Sequence, residues 1–173
     1  MTAKRRSKFF WFEGVTEAEV VRSLNDTQPS RLRQQGPRRV LVWANALVLL
    51  AMGLIALVAQ PKLQSYLEIA LLAVTLGLYL TLRKAVRHIS DAPNELLDER
   101  QIAARDAAYT VAYRGLAFVG VAVFLLHILL PSESDTGDLL AGRGSLILAF
   151  VMAAAALPAM VLAWSLPSEQ PEA

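Results

Sequence analysis

Residues 40–59 read VLVWANALVLLAMGLIALVA, twenty positions without a charge. At 1.5 Å per residue this run makes a helix of about 30 Å, the thickness of a bilayer's hydrocarbon core. Three more apolar blocks follow, at about 64–82, 111–130 and 145–166. All four are too long for strands. Lipid also demands a backbone that satisfies its own hydrogen bonds, so each block reads as a membrane-spanning helix. The expected fold class is all-α, a polytopic integral membrane protein whose four-helix transmembrane domain covers 40–166. A head over 1–39, a loop over 83–110 and a tail over 167–173 lie outside the membrane.

The composition points the same way. The 173 residues are 55% hydrophobic and 18% charged, with a mean hydropathy of +0.42. A soluble domain carries about 25% charged residues, so soluble enzyme domains and disordered chains are excluded. The absence of Cys removes disulfides, thiolate nucleophiles and Cys-based metal centres.

Basic residues set the orientation. Nine precede Val40 (Lys4, Arg5, Arg6, Lys8, Arg22, Arg31, Arg33, Arg38, Arg39) and six join spans two and three (Arg83, Lys84, Arg87, Arg100, Arg105, Arg114). The other two connections hold one each, Lys62 and Arg143. Both termini are therefore expected in the cytoplasm, in a multi-pass protein of a bacterial inner membrane. The pI near 9.2 is orientation charge, with no nucleic-acid partner implied. The head is too long and its span too full for a cleavable signal, so the first span is expected to stay as an anchor.

Lys4, Arg5, Arg6 and Lys8 run into Phe9, Phe10, Trp11 and Phe12, a cationic–aromatic pairing suited to anionic lipid headgroups at the cytoplasmic face. Thr16 and Glu19 have capping-box spacing, and Val20, Val21 and Leu24 follow at helical spacing. A short amphipathic helix is expected from Glu17 to about Asn25. Residues 27–37 have the composition of a linker, with Arg31 and Arg33 as solvated or lipid-facing charges.

At the end of span two, Arg83, Lys84 and Arg87 complement the helix dipole, and His88 reads as an interfacial cap. Asp91 is the expected N-cap of the next helix, with Pro93 in its first turn. From Asn94 no breaker occurs before Pro131, so the third helix should extend for roughly 37 residues, about five turns of it cytoplasmic. Arg114 snorkels, with Tyr109 and Tyr113 as an aromatic belt. Its Leu97-Asp98-Glu99-Arg100 run, followed by Ile102, Ala104 and Ala107, resembles small bacterial multi-spanning membrane proteins that carry an Asp-Glu-Arg motif before a transmembrane helix. That resemblance covers the motif and the following thirty residues. It implies the same topology and makes Asp98, Glu99 and Arg100 the candidate partner contact. The alternative is a local ion-pair set with Arg105 or the Arg83–Arg87 end of span two, worth about 0–1 kcal/mol per pair.

Three polar side chains fall within the spans: Asn45, Glu68 and His127. Glu68 and His127 are expected at a similar depth near the outer face, where they can anchor or handle a proton or cation. Asn45 suits an interhelical hydrogen bond, worth about 0.6–2 kcal/mol. Ala155, Ala159 and Ala163 recur every fourth residue in span four, which favours close packing within the bundle or in a homo-oligomer. Pro158 is expected to kink that helix. No nucleotide-binding, nucleophile-elbow or zincin pattern occurs, so no catalytic residue, metal or cofactor is expected. The expected function is a non-enzymatic accessory or regulatory scaffold in a membrane protein complex. The alternative is a small transporter or channel component using Glu68 and His127.

Overall fold

A computed structural model describes residues 9–10, 15–26, 31–58, 61–129 and 139–167. Four long helices dominate: α2 (Gln35–Val58), α3 (Pro61–Ala85), α4 (Glu99–Leu129) and α5 (Leu139–Ser165). All four are long and apolar enough to cross a membrane. The short helix α1 (Glu17–Asn25) starts directly after Thr16, as its capping-box spacing predicts. Before it, β1 (Phe9–Phe10) and β2 (Val15–Thr16) form a two-residue antiparallel ladder, with Phe9 opposite Thr16.

The bundle is organised around α5. This helix packs against α2, α3 and α4, and α2 also packs on α3, whereas among the described residues the close packing of α4 with a long helix is with α5. The candidate span in α5 is 44% buried, against 11–17% in the other three. Small residues make that possible: Ala153, Ala156, Ala159 and Ala163 are buried along α5. The expected stripe is therefore shifted, since Ala155 is exposed and Ala156 takes the interior position. Helix α5 continues through Pro158. Gly120 of α4 comes close to Phe150, where an added Cβ would meet the ring at 3.4 Å. The outer surfaces carry Phe118, Phe124, Ile128, Ile69 and Leu50.

Several boundaries differ from the sequence expectation. Helix α2 begins at Gln35, so Gly36 and Pro37 are helical and not linker. The first four N–H groups of a helix have no intrahelical acceptor, so proline costs nothing there. Helix α5 begins at Leu139, six residues inside the stretch expected as an outer loop. Helix α4 begins at Glu99 and has 31 residues, because Asn94–Leu96 form a separate 3-10 turn and Leu97 is extended. The N-cap is Asp98: its Oδ1 accepts from the Gln101 N–H at 2.7 Å, and Gln101 Oε1 accepts from the Asp98 N–H at 3.2 Å. This reciprocal box starts the helix. At about 46 Å, α4 exceeds a bilayer core by roughly three turns, not five.

Candidate functional site

The polar chemistry collects at one end of the bundle. Trp43, early in α2, meets Trp164, late in α5, edge-on at 6.4 Å between ring centroids. The side chain of Arg38 reaches the end of α5, donating to the carbonyls of Leu166 at 2.9 Å and Pro167 at 2.6 Å. Those carbonyls lie beyond the last helical turn, where intrahelical donors have run out. The Arg39 guanidinium lies over the Trp164 ring at 4.9 Å, a contact worth about 0.5–1 kcal/mol when exposed.

Helix α3 ends at the same level in a tight reversal. The Arg87 N–H bonds to Lys84 O at 3.1 Å and the His88 N–H to Arg83 O at 2.9 Å, which is a Schellman pair. Such a cap needs a left-handed residue, normally glycine. Here Arg87 (φ 55°) and His88 (φ 57°) adopt it in succession, at about 1–2 kcal/mol each. His88 is buried within the reversal. Asp91 does not cap the following turn, since Pro93 occupies that N-cap without a side-chain bond. Its Oδ2 instead accepts from Arg83 Nε at 2.7 Å and from Ser90 Oγ at 2.9 Å.

Helix α1 sits on this reversal. Val20 has no exposed surface, and Ser23 Oγ donates to Arg87 O at 3.0 Å. Arg87 returns a bond to Asp26 O at 3.1 Å. Asp26 also takes Arg33, whose NH2 reaches Oδ2 at 2.6 Å. Arg33 is consequently buried, correcting its reading as a solvated charge. From the other side, the first turns of α4 strap the connector: Arg105 donates to Ala92 O at 2.7 Å and to Asn94 Oδ1, and Tyr109 OH donates to Ser90 O at 3.0 Å. One apolar cluster runs through Val20, Val86, Ile89, Leu97, Ala108 and Leu162. The head, the connector and the ends of α4 and α5 thus form one platform. Sequence reasoning found α1 but not its seat, because the docking groups are backbone carbonyls that no residue pattern reveals.

Asp98, Glu99 and Arg100 are exposed at the platform's edge. Arg83 pairs with Asp91 and Arg105 with Asp106, and Asp98 is engaged as a cap. Further along α4, the rings of Tyr109 and Tyr113 lie tilted to one another with centroids 5.9 Å apart, and Arg114 is exposed.

Asn45 is fully buried, yet neither amide atom has a hydrogen-bond partner, so the expected interhelical bond is not made. Near it in kind is Thr75 of α3, whose Oγ1 meets Met52 Sδ of α2 at 3.6 Å. Glu68 lies near the start of α3, which has no close packing with α4. The His127 side chain lies outside the described residues, as do Lys4, Arg5, Arg6, Lys8, Trp11 and Phe12; of Phe9 and Phe10 only the backbone ladder is described. Among the described residues no group of three or more His, Asp or Glu could hold a metal. No family model, curated protein or solved structure matches this chain.

Proposed function

We propose that this chain is a multi-pass protein of a bacterial inner membrane with both termini cytoplasmic. It acts without catalysis, as an accessory or regulatory scaffold that presents its platform to a partner protein. The observation that carries the reading is the docking of α1 on the α3–α4 connector through Val20, Ser23 and Arg87. Burying one valine is worth about 1.5–3 kcal/mol, enough to hold a short helix that would be marginal alone. Among the described residues, the buried polar side chains Arg33, Arg38, Arg83, His88 and Ser90 lie at this end, and Asn45 and Thr75 lie deeper in the bundle. Buried polar side chains thus concentrate where they shape a surface. The basic residues of the head and connector support a cytoplasmic position for that surface.

Two experiments test this. A periplasm-active reporter fused at residue 137 works and one fused at residue 92 does not; the opposite result inverts the topology. A photo-crosslinking residue placed at Val21 or Arg100, both exposed on the platform, captures the same heterologous protein in mild detergent. The same residue at Tyr66, exposed near the start of α3, does not. Recovery of the chain only with itself would sink the scaffold reading.

A further inference from the structure

The seam between α2 and α5 holds a cation whose hydrogen-bonding capacity is unspent. Arg39 is exposed, and among the described residues it makes no hydrogen bond or ion pair; its guanidinium lies against the Trp164 ring. Trp43, one turn along α2, meets that same indole from the side. The adjacent arginines are engaged, Arg33 on Asp26 and Arg38 on the carbonyls after α5.

The first turn of α2 offers this cation no counter-charge: Arg39 is the fifth residue of α2, and the first turn of that helix contains no acidic residue. A helix N-terminus carries partial positive charge and favours anions over cations. A cation–π contact uses none of the guanidinium's five N–H donors in a hydrogen bond, and that planar fork matches phosphate oxygens. Both indoles are largely exposed, Trp43 at 61% and Trp164 at 42%, which adds an apolar flank beside the cation.

We propose that Arg39, Trp43 and Trp164 form a discrete site for one anionic phospholipid headgroup. Arg39 binds the phosphodiester, and the two indoles line the glycerol and upper acyl region. The recognised chemistry is a phosphate oxyanion, and the indole flank favours a lipid over a free ion, which needs no apolar wall. The site rests on the membrane placement proposed above but not on any partner protein.

The full chain carrying Trp11→Phe retains only Trp43 and Trp164 as indole emitters. It is reconstituted in nanodiscs of phosphatidylcholine and phosphatidylglycerol, with one lipid or the other brominated. Quenching by brominated phosphatidylglycerol should exceed its mole fraction, corresponding to about a fivefold preference, the scale of one cation at an anionic surface. Arg39→Gln should bring that preference close to one, whereas Arg22→Gln, removing an exposed arginine of α1, should leave it unchanged. Equal preference in the parent chain, or equal loss in both variants, would overturn the site. Relief of quenching by inorganic phosphate would assign it to a free anion and overturn the lipid. Absence of quenching by either brominated lipid would overturn the membrane placement itself, and the site with it.

Discussion

Arg83 donates its Nε–H to Asp91 Oδ2 at 2.7 Å, across a reversal whose central residues Arg87 and His88 both hold positive φ. The pair is largely shielded, with side-chain exposures of 10% and 16%. It ties the end of α3 to the connector and holds closed a turn that is intrinsically strained. Asp91→Ala should lower stability by about 1.5–3 kcal/mol, the value of a charge-assisted bond. Thermal unfolding in detergent measures the loss, and hydrogen exchange should localise it to residues 86–91.

Arg87→Gly separates two roles of one residue. Glycine removes the cost of the left-handed conformation, about 1–2 kcal/mol, and so should slow exchange at the end of α3. It also deletes the side chain that bonds to Asp26 O, so amides of α1 should exchange faster. Slower exchange in both segments would show that the arginine contributes nothing to seating α1.

Val20→Asp should release α1 from the platform while leaving the four long helices folded. A buried carboxylate without a partner is not tolerated, and here the alternative is simple undocking. Proteolysis near Arg22 should accelerate, with unchanged helical content in the spans. Loss of the whole bundle would mean that α1 is part of the core and not an addition to it.

Asn45→Leu should stabilise the bundle. An unsatisfied buried amide costs about 1–3 kcal/mol, and leucine has the same branching and number of side-chain heavy atoms with nothing to satisfy. Had the side chain bridged two helices, the same substitution would destabilise. The sign of the shift in thermal midpoint decides between them.

Asp98→Ala should cost about 1 kcal/mol through loss of the N-cap, seen as fraying of residues 99–102, and Asp98→Ser should restore most of it. The serine variant keeps the cap without the charge. Weaker photo-crosslinking in that variant would therefore report recognition of the carboxylate itself.

The spans were legible because each apolar run is long enough to have a single reading, and α1 because Thr16, Glu19, Val20 and Leu24 place a cap and a stripe in register. What stayed hidden has a common cause. Arg83, Lys84 and Arg87 marked the end of α3, but Arg87 gave no sign of a left-handed reversal, since the residue that normally adopts one is glycine. Asp98 stood within a sequence with no breaker, so a new start was concealed inside an apparently continuous helix. Pro37 suggested a linker where a first turn accommodates it. Asn45 was visibly polar, but whether a donor or acceptor faces it depends on how neighbouring helices are rotated. The seat of α1 consists of backbone atoms, which carry no residue identity.

The dependence of α4 on α5 also orders the protein's biogenesis. Helices α2 and α3 pack on each other and can pair once both have been inserted. Helix α4 has no comparable neighbour among the preceding spans, and α5 follows it in the chain. Until α5 has been made, α4 therefore lacks its main packing partner, while Arg105 and Tyr109 already tie its first turns to the connector. That interval is when membrane proteases and insertion chaperones can act on the chain, and arrival of α5 closes it.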